Sequence, residues 1–231
     1  MSRAGDLDGA GSDLDRVVAE RLAAVHQRIR DAGGIGVRVL PVTKGFPVDR
    51  CWAAVHAGCD AVGENYAQEV VTKFGDHRPP IAVHFIGQLQ TNKVRLLAPL
   101  VDVYESVDRP SLVAELAKRA PGARMLVQVS PGDQTGKGGC PLADVPALVA
   151  AARDAGLTVL GLMTVGPTSG GPESARPGFS AVRALVDSLG LEVCSMGMTD
   201  DLEVAVQEGS TQVRVGSALF GRRPQSADAL R

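Results

Sequence analysis

Aromatic residues are scarce in this 231-residue chain, at 3%, with one Trp, two Tyr and five Phe. Its core must therefore be filled by Val, Leu and Ala, the residue types of closely packed α/β folds, which argues against an aromatic-rich sandwich. Cysteine is sparse too. Cys51, Cys59, Cys140 and Cys194 are scattered without a CxxC pair, so neither a zinc site nor a disulfide framework is expected. An excess of one charge is also missing. With 24 Lys+Arg against 26 Asp+Glu and a formal net charge of -2, the chain offers no footprint for nucleic acid or an anionic membrane. No apolar run approaches the ~20 residues of a membrane span. Residues 1–15 lack the basic start and apolar centre of a signal peptide. Together with the lack of an obvious exposed apolar helix, these absences describe a cytoplasmic protein, expected to be a monomer, whose partner is a small molecule.

What is present fits a folded chain: 45% hydrophobic and 22% charged residues, with 27 Gly and 14 Pro. The length suits one larger α/β domain, expected over residues 12–223, with a flexible N-terminus at 1–11 and a flexible tail at 224–231. Ser12 is placed to cap a first helix carrying Leu14, Val17, Val18, Leu22, Val25 and Ile29 at helical spacing until Gly33 and Gly34. Eight short apolar or β-branched segments follow, at 37–43, 61–63, 81–86, 101–106, 124–129, 158–163, 192–195 and 212–215. Helical stretches at 48–57, 65–74, 111–120, 143–155, 179–189 and 200–207 lie between them, each closed by glycine. This alternation predicts an α/β fold, a (β/α)8 TIM barrel with an extra N-terminal helix. An open doubly wound sheet meets the same spacing. Segments 130–141 and 164–178, rich in Gly, Pro and Ser, are predicted as loops on the ligand-bearing rim.

Lys44 follows the apolar run VRVLPVT and precedes Gly45, at the C-terminal end of a predicted strand. Partial desolvation there lowers an amine's pKa and frees it to condense with an aldehyde, although a rim lysine is by default a solvated surface charge. Gly216 and Ser217 end the last strand, and Ser195, Gly197 and Thr199 end the one before. Their N–H and hydroxyl donors suit an anion cradle, which barrels place after these strands, and equally suit ordinary turns. Arg214 shares the inward face of its strand with Gly216, and fits either a ligand or a structural ion pair. Three patterns are set aside. GDQTGKG at 132–138 has the wrong glycine spacing for a phosphate loop and no Ser or Thr after Lys137. His56 with Cys59 is a packed or surface pair, and Asp200 with Asp201 reads as a helix cap.

The segments VLPVTKGFP (39–47), GENYAQE (63–69), HFIGQLQTNK (84–93), ESVDR (105–109), GLM (161–163), SMGMTDD (195–201) and GSTQVRVGSALFG (209–221) together carry a family resemblance. In this order, from near residue 35 to 223, the chain resembles the YggS/PROSC family of pyridoxal-phosphate-binding proteins, single-domain relatives of the alanine racemase N-terminal barrel. The resemblance implies that pyridoxal 5'-phosphate (PLP) is carried as a Schiff base on Lys44. It implies Arg214 at the pyridine nitrogen, Ser195, Gly216 and Ser217 at the phosphate, and Asn65 and Met163 along the ring. It further implies a role in vitamin B6 homeostasis, carrying PLP to apo-enzymes with little or no catalysis. An arginine beside the pyridine nitrogen keeps it unprotonated and weakens the ring as an electron sink. The alternative is a PLP-dependent amino-acid racemase or related enzyme. Racemase relatives add a second domain with a catalytic tyrosine, whereas Tyr66 and Tyr104 are the only tyrosines here. Two departures stand out. Gly45 and Phe46 occupy places where many members carry Thr and a basic or polar residue, and Ser217 replaces a frequent threonine while keeping its hydroxyl. The loop around Lys137 and Cys140 matches loosely and receives no site role.

Overall fold

Short parallel strands joined through helices bury both faces either between two layers of helices or, in a barrel, with helices on one side and the sheet curled to fill the other. The computed structural model describes residues 13–75, 78–132 and 138–223. The expected flexible ends, the Ser12 cap and residues 133–137 of the Gly-rich segment lie outside the described residues. Helix α1 (Asp13–Asp31) precedes β1 (Arg38–Pro41), α2 (Asp49–His56), β2 (Ala61–Glu64), α3 (Ala67–Phe74) and β3 (Ala82–Phe85). Then come α4 (Thr91–Leu97), β4 (Val103–Val107), α5 (Pro110–Arg119), β5 (Arg124–Ser130) and β6 (Cys140–Pro141). The chain continues with α6 (Val145–Asp154), β7 (Thr158–Thr164), α7 (Arg176–Ser188), β8 (Val193–Ser195), α8 (Leu202–Gln207), β9 (Gln212–Val215) and α9 (Ser217–Phe220).

The strands pair in the order β1-β9-β8-β7-β5-β4-β3-β2, all parallel, with β6 a two-residue appendage on β5. The two ends of this row meet where Val42 bridges Gly63 and the Thr43 amide donates to the Gly63 carbonyl at 3.0 Å. That contact closes a (β/α)8 barrel and removes the open-sheet reading. Outward-facing Val39, Val62, Val83, Tyr104, Val127, Cys194 and Val213 pack in one apolar shell with Ala53, Phe74, Leu97, Leu116, Val149 and Val182 of the helices. Alternation then directs the neighbouring residues to the barrel axis, where Val103 and Leu126 accompany Glu105, Gln212 and Arg214.

Several boundaries differ from the sequence-based expectation. Helix α4 was not anticipated: it is seven residues long, buries only Val94 and Leu97, and has no side-chain cap, so its local signal is faint. The predicted loop at 130–141 contains β6. That at 164–178 contains a 3-10 turn (Pro172–Ala175) and the start of α7, because Pro172 and Pro177 sit in first turns, where a fixed φ favours helix entry. Helix α3 starts at Ala67 rather than at residue 65, leaving Asn65 on the rim after β2. Among the described residues no helix is long and apolar enough to cross a membrane.

Gly161 is required by close approach. A Cβ on Gly161 in β7 would lie 1.9 Å from the Val193 carbonyl oxygen of β8. Gly161→Ala is expected to push the two strands apart and to destabilise the fold by about 1–3 kcal/mol or more in urea unfolding. A change within about 0.5 kcal/mol, the range of ordinary surface substitutions, would contradict this close packing.

Candidate ligand-binding site

Lys44 leaves β1 on the inward parity, and the peptide groups on both sides of it are held from outside the barrel. Lys73 of α3 donates from Nζ to the Thr43 carbonyl at 2.8 Å, and the Gly45 amide donates to both oxygens of Glu69 at 3.0 and 3.1 Å. Thr43 donates through Oγ1 to Glu64 Oε1 at 2.6 Å, and Lys73 Nζ donates to the same oxygen at 2.7 Å. Glu64 is fully buried, and burial pushes its carboxyl up to about 7 against the pull of Lys73 and Thr43. Glu69 and Lys73 stand four residues apart on one face of α3, the spacing at which helical side chains meet. The result is a fixed backbone at Lys44 with a side chain free to enter the rim.

That side chain enters a cavity of about 460 Å³. Its lining combines the apolar Val42, Phe46, Ile86 and Met198 with Thr199, Ser217, Arg214, Arg222 and Arg223. Burial lowers the Lys44 pKa, and the positive charges of Arg223 and Arg214 lower it further against the weaker pull of Glu64 and Glu69. More of the amine is therefore neutral and nucleophilic near neutral pH. The Thr199 and Ser217 hydroxyls approach each other at 3.3 Å across the two last rim loops. Next to them the first amides of α9 have no carbonyl behind them within the helix. The arrangement suits a flat ligand with a carbonyl at Lys44 and an anionic arm at Ser217.

Helix α1 ties these loops down from behind. Arg28 donates to the Thr199 carbonyl at 2.8 Å and to Glu203 at 2.7 Å, while Arg21 donates to the Leu219 carbonyl at 3.0 Å. Asp201 adds a brace from within. Its carboxylate accepts from the Met198 amide at 2.6 Å and makes no side-chain cap on α8, although Asp201 stands at its N-cap as expected from sequence.

Of the residues singled out from sequence, Lys44, Arg214, Gly216 and Ser217 line this one cavity. Ser195 and Met163 are buried and are not among its lining residues. The Ser195 hydroxyl donates to Glu105 at 2.8 Å and accepts from Arg214 at 2.9 Å. Asn65 lies on the neighbouring rim, its backbone against Gly87. Sequence reasoning missed the group that holds Lys44 in place. Thr43, Glu64 and Glu69 lie inside the quoted motifs, and the Glu69–Lys73 spacing was readable on α3.

The family described as "Alanine racemase, N-terminal domain" matches residues 16–224. The chain belongs to this family. It is 36% identical over 226 residues to the "Pyridoxal phosphate homeostasis protein" of Pseudomonas aeruginosa, covering 92% of this chain and 98% of that one. The protein of the same name from Aquifex aeolicus is 36% identical over 222 residues, covering 88% and 97%. Among solved structures, PipY of Synechococcus elongatus PCC7942 with PLP bound superposes with a TM-score of 0.76 at 28% identity, over 88% of this chain and 100% of that one.

Backbone geometry accounts for the glycine after Lys44. Gly45 has φ +72°, a conformation natural to glycine, and a Cβ there would meet the Arg223 side chain at 3.0 Å. The stem of Arg223 thus lies over the peptide after Lys44, which places its charge close enough to lower the Lys44 pKa.

The buried Lys73–Glu64 pair yields a stability test. Lys73→Met strands the Glu64 carboxyl without its cation and is expected to cost about 3–5 kcal/mol in urea unfolding. Removing both charges, as Lys73→Met with Glu64→Leu, is expected to recover much of that loss. A single substitution costing under about 1 kcal/mol, as an exposed ion pair would, contradicts the buried pairing.

Proposed function

We propose that this protein binds PLP in the rim cavity, with its aldehyde carried as a Schiff base on Lys44, and serves as a cytoplasmic carrier in vitamin B6 homeostasis. It delivers the cofactor to apo-enzymes as a monomer and turns over amino acids little or not at all. The observation that carries this reading is one shared cavity: the desolvated Lys44 amine, the Arg214 guanidinium and the Ser217 and Thr199 hydroxyls open into it together. The curated relatives named above and the PLP-bound PipY structure support it. PLP supplies an aldehyde and an electron-withdrawing ring. The residues present fit that group: an amine for the aldehyde, a guanidinium for the ring nitrogen, apolar side chains for the ring, and Gly216, Ser217 and Thr199 for the phosphate. Gly216 lines the cavity, and a Cβ there would stand 3.2 Å from the Val42 carbonyl oxygen, so a larger residue would crowd the neighbouring strand. Asn65, Met163 and Ser195 complete the binding set in this proposal, with Met163 and Ser195 acting from beneath the cavity.

The weak-turnover part rests on the lining chemistry. Arg214 is a donor that does not give up its proton near neutral pH, so a ring nitrogen facing it stays unprotonated and draws less charge from a substrate. A racemase needs a second acid or base opposite its lysine. Asp200 is the sole carboxylate among the described lining residues, and neither tyrosine lines the cavity.

Purified protein is expected to show a visible absorption band that borohydride reduction fixes to the peptide containing Lys44, and Lys44→Ala is expected to abolish it. A reducible band retained in that variant on another lysine would overturn the assignment. Overnight incubation with L-alanine or L-serine, followed by chiral chromatography, is expected to show no turnover orders of magnitude beyond free PLP. Sustained racemisation at about 1 per second or faster, within the ordinary enzyme range, would replace the carrier with an enzyme.

A further inference from the structure

The Arg214 guanidinium lies inside the barrel with only 4% of the residue exposed, and burial lowers its pKa against the opposing pull of Glu105. It donates to the Ser195 and Thr164 carbonyls at 2.8 and 2.7 Å and to the Ser195 hydroxyl at 2.9 Å. The same hydroxyl accepts from Gln212 Nε2 at 3.1 Å. With two donors on its oxygen, the Ser195 hydrogen points to Glu105 Oε2 at 2.8 Å. Glu105 Oε1 accepts from Gln212 Nε2 at 2.8 Å and lies 2.6 Å from His84 Nδ1. Glu105 is 0% exposed and is an acceptor toward Ser195 and Gln212, an arrangement that an ionised carboxylate satisfies and that leaves the hydrogen on His84 Nδ1. The network begins at a second cavity of about 300 Å³ at the N-terminal end of the strands, lined by His84, Glu105 and Gln212. It ends at Arg214 in the rim cavity.

A purely structural ion pair would set the carboxylate directly on the guanidinium. Here a serine stands between them, so the guanidinium gains a counter-charge at one remove while Arg214 still lines the cavity. We infer that Glu105 is a positioning residue: acting through Ser195, with Gln212 and His84 holding it in place, its carboxylate fixes the orientation and charge of Arg214 toward a bound ring nitrogen. This rests on the proposed placement of the PLP ring against Arg214.

Glu105→Gln keeps the shape and removes the charge. PLP is expected to dissociate about tenfold more readily, the scale of one lost charge-assisted hydrogen bond. The ratio of visible to near-ultraviolet absorbance of bound PLP is expected to change, while circular dichroism remains that of the folded protein. In an Arg214→Gln background the same substitution is expected to add nothing, because residues acting through one another are not additive. Should Glu105→Gln fail to fold, Ser195→Ala, which severs the link and spares the carboxylate, carries the same expectation for the spectrum. An unchanged spectrum and affinity in the folded variant, or effects that simply add to those of Arg214→Gln, would overturn the inference. If instead Arg214→Gln alone changes neither spectrum nor affinity while Lys44→Ala abolishes the band, the placement of the ring against Arg214 is wrong and the inference goes with it. If Lys44→Ala leaves the band intact, the site reading itself is at fault.

Discussion

Burying a guanidinium inside a closed sheet imposes more on this structure than any other single feature. Arg214 sits on β9 pointing to the axis, where water is excluded and an unpaired cation is very costly. Its burial calls for the Ser195 and Thr164 carbonyls on β8 and β7, and a carboxylate within reach on β4. The axis of the barrel is consequently polar along one line, from His84 through Glu105, Gln212 and Ser195 to Arg214, instead of being filled by layers of branched apolar side chains.

The same alternation that sends Arg214 inward separates two tasks around Lys44. Inward residues of β1 and its extension, Val42 and Lys44, reach the rim cavity. The residue between them, Thr43, faces the helices and joins Glu64 and Lys73. Position is therefore set on one side of the strand and chemistry presented on the other. A lysine held only by its own flexible stem would lose several rotatable bonds' worth of entropy on capturing a ligand. Fixing the neighbouring peptides through Lys73 and Glu69 leaves that side-chain cost in place and removes only the backbone's share before any ligand arrives.

Helix α1 has a place in this scheme although it belongs to none of the β-α repeats. It covers α2, α8 and α9 on the flank where the barrel closes, and its arginines hold the carbonyls of Thr199 and Leu219. Both loops that present hydroxyls to the cavity are thereby fastened from their outer side. The short helix α9 has too few residues to be stable alone and depends on this support.

Much of this was legible before the fold was known. The eight strand segments and their glycine-terminated helices follow from periodicity and turn chemistry, which are local properties of a few residues. Lys44, Arg214, Gly216 and Ser217 could be placed at strand ends facing a rim because alternation along a strand fixes direction over two or four residues. Helix α4 escaped because two buried residues make no pattern, and Asp201 stands at the N-cap of α8 as expected but turns its carboxylate back to Met198, which no local reading distinguishes from a side-chain cap. Spacing alone left closure open; the Val42–Gly63 bridge settled it. The partners of buried charge were equally beyond local reading. Glu105 reaches Ser195, and Glu64 reaches Thr43 and Lys73, only because closure sets those strands and helices side by side at one register. Which strands become neighbours around a barrel, and at what height, is a property of the closed sheet as a whole and has no counterpart in any short stretch of chain.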